Sequence, residues 1–135
     1  MSFVPCLSVA STATSIAFYK KLGFEVDSST AKAGDDLHML LFQSALCGML
    51  YGNANLKAWL PVLADQPIGF SGILYLSVKD FDGVRERVGQ HAAIVKDTLV
   101  DNNGQREFYF RDPDGYVIGI NDRAVLQASD LGKYA

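Results

Sequence analysis

The side chains most capable of chemistry in this 135-residue chain include two histidines, His38 and His91. A histidine can act near neutral pH as a metal ligand, a general base or a hydrogen-bonding residue. The two lie far apart in sequence, His38 after an acidic turn and His91 after the end of an expected helix. We therefore interpret both as surface or hydrogen-bonded residues rather than as metal ligands.

The candidate nucleophiles are equally isolated. Cys6 and Cys47 lack the C-x-x-C spacing of zinc and redox sites, so we interpret them as small buried apolar residues. Ser8 and Ser77 could line a binding site, but neither has a histidine in a motif that would activate its hydroxyl. The sequence also lacks a glycine-rich phosphate loop. From these patterns we expect no catalytic residue, no metal ligand and no cofactor.

Composition restricts the partners of the chain. Its net charge of −3 and the absence of a basic patch argue against nucleic-acid binding. Its apolar runs are shorter than the 18 or so residues that a membrane span requires, so we expect no membrane contact. Residues 1–10 lack the basic start and long apolar stretch of a signal peptide, and the two cysteines are isolated. We therefore expect a cytoplasmic protein.

Apolar runs between turn residues predict a strand, a helix and three more strands in the first part of the chain. Ser11 and its neighbours can cap the start of the helix, and Gly23 can end it. A turn at 33–36 precedes the last two strands, which a connection at 44–46 joins. The predicted strands are residues 3–9, 24–28, 38–43 and 47–51.

The same order recurs in the second part of the chain. Leu7-Ser8-Val9 and Leu76-Ser77-Val78 each lead into a helix, and the second helix is expected from Asp80 to Gly89. Turns are expected at 102–104 and 112–115. The predicted strands are residues 72–78, 93–96, 107–111 and 116–121.

Together these patterns predict an α+β fold in which two βαβββ modules form one domain of residues 1–135. Module one covers about 1–52, a linker covers 53–70, and module two covers about 71–122. A C-terminal helix occupies 123–135. The linker is rich in apolar residues such as Trp59, which predicts that part of it packs as a short helix.

Two motifs resemble those of the glyoxalase / bleomycin-resistance / extradiol-dioxygenase (vicinal oxygen chelate) superfamily. Residues 18–25 (FYKKLGFE) resemble its helix-to-strand signature, and residues 104–116 (GQREFYFRDPDGY) resemble its final hairpin. The resemblance covers nearly the whole chain. It implies that the eight strands form a curled mixed sheet, or cup, with helices on the convex side.

The resemblance also locates the metal ligands of metal-using members, which are His, Gln or Glu side chains on the first and a late strand of each module. In this chain those positions fall on Val4, Ile73 and Gly119, with the fourth near residues 48–50. Valine, isoleucine and glycine side chains carry no atom that binds a metal. The resemblance therefore implies the metal-free, bleomycin-resistance-like branch, in which Glu107 matches the group's pattern.

Strand alternation predicts which side chains face the cup. Phe108 and Phe110 suit the face beneath the helices, so their neighbours should face the cup. Aromatic surfaces with small residues and one or two charges suit a planar or amphipathic ligand. The residues that we expect to bind the ligand are Phe42, Tyr51, Trp59, Tyr75, Glu107, Tyr109 and Arg111.

We therefore expect a homodimer that binds an aromatic or cationic, antibiotic-like small molecule and acts by sequestration. One alternative is a metal-dependent lyase, isomerase or dioxygenase of the same superfamily. Another is a structural or regulatory dimer that has no small-molecule ligand.

Overall fold

The computed structural model of the chain describes residues 3–98 and 104–134. The chain divides into two compact units, Met1–Phe70 with Pro113–Gly115, and Ser71–Asp112 with Tyr116–Ala135. Each unit contains one four-stranded mixed sheet. The described helices are all too short or too polar to cross a membrane.

The sheet of the first unit has one edge strand that pairs in parallel, and its other three strands pair with one another antiparallel. The strand order is β1-β4-β3-β2, with β1 parallel to β4. Its elements are β1 (Cys6–Val9), α1 (Thr12–Lys21), β2 (Glu25–Asp27), α2 (Ser29–Lys32), β3 (Leu37–Phe42), β4 (Ala45–Gly52) and α3 (Asn53–Trp59), followed by a 3-10 turn at Pro61–Leu63.

The second unit repeats this topology. Its strand order is β5-β8-β7-β6, with β5 parallel to β8. Its elements are β5 (Ile73–Val78), α4 (Phe81–His91), β6 (Ile94–Thr98), β7 (Glu107–Arg111), β8 (Val117–Asp122) and α5 (Arg123–Ala128), followed by a 3-10 turn at Asp130–Tyr134. The predicted α+β class, with its strand-helix-three-strand order in each half, is confirmed.

Helix α1 begins and ends as its sequence predicts. The Ser11 side chain caps its start by accepting a hydrogen bond from the backbone N–H of Thr14 at 3.2 Å. At its end Gly23 has a φ of 101°, and the N–H of Phe24 bonds the carbonyl of Tyr19 at 3.1 Å. The Tyr19 and Phe24 rings pack 5.1 Å apart, which completes a Schellman motif. The 18–25 signature therefore ends helix α1 and leads the chain into strand β2.

Each sheet buries one face against its helices. In the first unit Val9, Tyr19, Leu22 and Leu50 are almost fully buried. In the second unit Phe108 and Phe110 on β7 have no exposed surface, and Phe81 at the start of α4 packs edge-on against Phe108 at 5.5 Å. Burying large apolar side chains in this way provides the main driving force for folding.

Several local expectations differ from the structure. The four-residue helix α2 was not predicted. The β3–β4 hairpin turns at Gln43 and Ser44, not at 44–46, and both residues have positive φ (47° and 68°). Positive φ at both central residues is typical of a two-residue type I′ turn, whose backbone twist matches the twist of the flanking strands. Helix α4 continues past Gly89 to His91, because the N–H of Ala92 still bonds the carbonyl of Val88.

The two hairpin-turn predictions of the second half have different outcomes. Asp112-Pro113-Asp114-Gly115 forms the expected turn: Tyr116 N–H donates to the Asp112 side chain at 3.0 Å, and Gly115 has a φ of 93°. The predicted turn at 102–104 lies largely outside the described residues, which include Gly104 but not Asn102 or Asn103.

Candidate ligand-binding face

Three strands of the second unit place their side chains in aligned rows on one face of the sheet. Phe108 and Phe110 point to the buried side, so the alternate residues of β7 point to the other side, as the sequence predicts. The ladder registers of β5, β8 and β7 align these residues across the sheet. We call the three rows the tyrosine face: Ile73–Val117–Arg111, Tyr75–Gly119–Tyr109 and Ser77–Asn121–Glu107.

The middle row of the tyrosine face contains a tyrosine pair above a glycine. The hydroxyls of Tyr75 and Tyr109 lie 3.0 Å apart, and their rings meet edge to face with centroids 6.0 Å apart. A Cβ atom at Gly119 would lie 2.8 Å from a carbon of each ring. Gly119 is therefore the residue whose missing side chain leaves room for the pair. Its φ is not positive, so backbone freedom is not the reason for this glycine.

Glu107 extends the tyrosine pair into a chain of three polar groups. The Tyr109 hydroxyl donates a hydrogen bond to Glu107 Oε1 at 3.2 Å. Burial raises the pKa of Tyr109 far above its ordinary value, and the negative charge of Glu107 and the hydrogen bond to it raise this pKa further. Tyr109 therefore keeps its proton at neutral pH and remains a donor.

The two outer rows of the face differ in polarity. In one, the Ser77 hydroxyl donates to Asn121 Oδ1 at 2.5 Å, and Asn121 is buried. In the other, Ile73 is half exposed and Arg111 is exposed. The face thus changes from a polar row through an aromatic row to a row with two apolar side chains and one cation.

The equivalent face of the first unit is built from different side chains. The ladder registers align Cys6–Met49–Met39 with the tyrosine row, and Ser8–Tyr51–Leu37 with the serine row. Ser8 also donates to an asparagine, Asn53 Oδ1 at 2.8 Å, but Asn53 begins α3 and is not the ladder partner of Ser8. Aromatic rings and carboxylates are absent from the sulfur-rich row, so the internal repeat preserves the fold while the two faces differ in chemistry.

The predicted binding residues of the first unit lie in three environments. Tyr51 is buried, and its hydroxyl donates to Asp35 at 2.9 Å, which raises the pKa of Tyr51. Phe42 is buried in the core and packs against Phe24 with ring centroids 4.6 Å apart. Trp59 ends α3 with 78% of its surface exposed. The structure thus brings Tyr75, Glu107 and Tyr109 together in the second unit. It does not bring Phe42, Tyr51 and Trp59 together.

The superfamily's metal positions can be compared with the geometry of each unit. Val4 precedes β1, Ile73 begins β5, and Gly119 lies on β8 beside Tyr75. Because Tyr75 and Cys6 occupy equivalent positions, Met49, the ladder partner of Cys6, is the equivalent of Gly119 and lies within the 48–50 range expected for the fourth position. One thioether with two hydrocarbon side chains and a glycine does not suit a divalent metal, which prefers nitrogen, oxygen or thiolate donors. Among residues 3–98 and 104–134, no three His, Cys, Asp or Glu side chains form a possible metal site.

A polar cluster around the buried His38 was not expected as a unit. Its Nε2 lies 2.9 Å from Asp36 Oδ1, and its Nδ1 lies 2.8 Å from the Ser28 hydroxyl. Thr12, at the start of α1, donates to the same carboxylate. The order Ser–His–Asp is that of hydrolase triads, but here the imidazole is buried and its partners join α1, α2 and β3. We therefore assign this cluster to stability, in agreement with the prediction of a hydrogen-bonded histidine. The signal in the sequence was the Asp-x-His spacing, which puts both side chains on one side of a strand.

The model of the Glyoxalase/Bleomycin resistance protein/Dioxygenase superfamily matches residues 3–120. The chain belongs to this superfamily. No functionally curated protein matches the sequence.

Solved structures of this superfamily and of uncharacterised proteins share the fold. A protein of unknown function from Agrobacterium tumefaciens strain C58 is 21% identical, with a TM-score of 0.73 over 90% of this chain and 94% of its own. A superfamily member from Sphaerobacter thermophilus is 19% identical, with a TM-score of 0.66 over 90% and 98%. A bleomycin-binding protein solved with bleomycin is 16% identical, with a TM-score of 0.60 over 90% and 98%. At these identities the similarity shows the fold alone.

Proposed function

We propose that this superfamily member binds a small aromatic or cationic molecule on the tyrosine face and sequesters it without transforming it. The observation that carries the proposal is the Tyr75–Tyr109 pair above Gly119. Metal-using members of the superfamily have a ligand side chain at the position of Gly119. Here two aromatic rings fill that space, which supports recognition by contact in place of metal chemistry.

The exposure of the aromatic groups supports a binding role. Tyr75 is 56% exposed, although a large aromatic residue usually buries most of its surface. Glu107 and Arg111 flank Tyr109 along β7 and supply one charge of each sign. A face of this kind offers stacking surface together with a few polar groups that orient a ligand.

The structural neighbour that was solved with bleomycin supports an antibiotic-like ligand. It indicates that a chain of this fold can hold a drug of that kind. We infer a role in resistance by sequestration, with Tyr75, Tyr109, Glu107 and Arg111 as the principal contacts. We propose Trp59, which is exposed at the end of α3, as a separate binding residue of the first unit. Phe42 and Tyr51 are buried, so they are not proposed as ligand contacts.

A thermal-shift screen tests this function. We expect at least one compound in a panel of glycopeptide and planar antibiotics to raise the Tm saturably. A ligand at 100 times its Kd stabilises the folded state by about 2.7 kcal/mol, which corresponds to several degrees. The shift should be strongly reduced in Tyr75→Ala and retained in Tyr134→Ala, a tyrosine that is exposed in the C-terminal 3-10 turn. No shift with any compound of the panel would contradict sequestration of a drug.

We further propose that the protein is a cytoplasmic homodimer. Trp59, Val62 and Phe70 expose 78%, 78% and 87% of their surface in the protomer, and exposed apolar groups of this size are typical of an interface. Both cysteines have free thiols, which suits a reducing compartment. Light scattering coupled to size exclusion should give the dimer mass for the wild type and a monomer for Val62→Glu with Phe70→Glu. A monomeric wild type at micromolar concentration would contradict the dimer.

A further inference from the structure

The tyrosine face has a definite hydrogen-bond polarity. Tyr109 donates its single hydroxyl hydrogen to Glu107 Oε1. The contact of 3.0 Å between the two hydroxyls must then use the hydrogen of Tyr75, because a phenol carries only one. The chain therefore runs in one direction, from Tyr75 through Tyr109 to Glu107.

This direction determines what the exposed end of the chain can recognise. The hydrogen of Tyr75 is directed toward Tyr109, whereas the Tyr75 oxygen retains acceptor capacity on a residue that is 56% exposed. A group that meets this oxygen from the open side must therefore bring its own hydrogen. A carboxylate or phosphate oxygen has none and would face the oxygen lone pairs.

The surroundings favour a positively charged donor over a neutral one. Glu107 places a carboxylate one row away on the same face, about 7 Å along the strand from the tyrosine row. The aromatic rings present π surfaces, which attract cations. Arg111 lies one row away on the opposite side and would repel a cation placed over it, so the charge of the ligand is expected on the Glu107 side of Tyr75.

We propose that the Tyr75 hydroxyl is an acceptor site for a cationic nitrogen donor, such as an ammonium or amidinium group on a planar ligand. This inference rests on the proposed binding function and specifies its ligand class. Tyr75 contacts the ligand, while Tyr109 and Glu107 are positioning residues that fix the direction of the Tyr75 hydroxyl.

Three planar probes of nearly equal shape test this polarity: benzamidine is a cation, benzamide is neutral and benzoate is an anion. The full-length protein, labelled with ¹³C at the ζ carbon of its six tyrosines, is titrated with each probe by NMR. Tyr75→Phe and Tyr109→Phe assign the two resonances. We expect benzamidine to bind at least about tenfold more tightly than benzoate, the factor that one charge-assisted hydrogen bond provides.

Variants of the two tyrosines distinguish the effect of hydrogen-bond direction from the effect of ring stacking. Tyr75→Phe removes the acceptor oxygen but keeps the ring and Glu107, so the preference for benzamidine should fall well below the wild-type value. Tyr109→Phe releases the hydrogen of Tyr75, which can then donate to benzoate, so the benzamidine-to-benzoate ratio should fall below the wild-type value. Tyr134→Phe, which removes a hydroxyl elsewhere, should leave the ratio unchanged.

The failure of this inference is distinguishable from the failure of the proposed function. If benzoate binds at the two tyrosines as tightly as benzamidine, the face binds small molecules but the polarity is wrong. An unchanged ratio in Tyr109→Phe would also overturn the directional chain. If none of the probes moves either resonance, both the polarity and this location of the binding site are contradicted.

Discussion

The hydroxyls of Tyr75 and Tyr109 lie 3.0 Å apart although the residues are separated by 34 positions in sequence. The contact crosses Gly119 on the intervening strand, where a Cβ would come within 2.8 Å of both rings. A glycine on the central strand and a tyrosine on each neighbouring strand thus form one structural unit. This unit occupies a position at which the sequence resemblance to the superfamily leads us to expect a ligand side chain in metal-using members.

Gly119→Ala should therefore disrupt the tyrosine pair. The added methyl group must displace the rings of Tyr75 and Tyr109, and we expect a loss of stability of about 1–3 kcal/mol together with weakened ligand binding. Urea unfolding and the tyrosine NMR resonances measure the two effects. Gly48→Ala on β4 is the matched control, because its Cβ would meet its nearest neighbour at an ordinary 3.5 Å. Equal effects of the two substitutions would show that the pair does not depend on Gly119.

The β3–β4 hairpin should become more stable when Ser44 is replaced by glycine. Ser44 has a φ of 68°, a conformation that costs a residue with a Cβ about 1 kcal/mol relative to glycine. We expect Ser44→Gly to raise the free energy of unfolding by up to this amount in urea titrations. Ser44→Ala keeps the Cβ and should give no gain, so a similar gain in both variants would contradict the argument from backbone strain.

Cys47 should make stability depend on pH in the alkaline range. Burial raises the pKa of Cys47 from about 9.0 to about 11, so the folded state favours the protonated thiol. This contribution is complete below about pH 9, where the thiol is protonated in both states, and it is lost as the pH rises toward 11. The difference in free energy of unfolding between the wild type and Cys47→Ala should therefore shrink between these values. A difference that stays constant from pH 7 to pH 11 would contradict the shift.

The two histidines should respond very differently to truncation. His38→Ala removes a buried ring and leaves Asp36 and Ser28 without its hydrogen bonds, so we expect a loss of about 2–4 kcal/mol. His91→Ala lies at the exposed end of α4 and should change stability by about 0.5 kcal/mol or less. Chemical denaturation of both variants checks the contrast. Similar losses of unfolding free energy in both variants would contradict the stabilising role of the His38 cluster.

The sequence predicts the elements of this fold better than the contacts of its face. Strand alternation correctly places Phe108 and Phe110 in the core and Tyr109 opposite them, because side-chain direction follows directly from the backbone. Gly23 was also predictable, since its role depends only on local helix geometry. These are properties of neighbouring residues.

Other features depend on partners that are distant in sequence. The reason for Gly119 becomes visible only when the ladder brings Tyr75 and Tyr109 beside it. The sequence contained Asp36 and His38, but not the information that Ser28 and Thr12 would meet them. The type I′ turn was misplaced because Gln43 and Ser44 are not the residues that such turns favour.

A co-crystal structure with the compound that raises the Tm most would show directly whether the tyrosine face is the binding site. We expect electron density on this face, with the ligand against the Tyr75 ring and a nitrogen donor within hydrogen-bonding distance of its hydroxyl. A ligand held through a metal ion, or bound where it contacts neither Tyr75 nor Tyr109, would contradict this expectation.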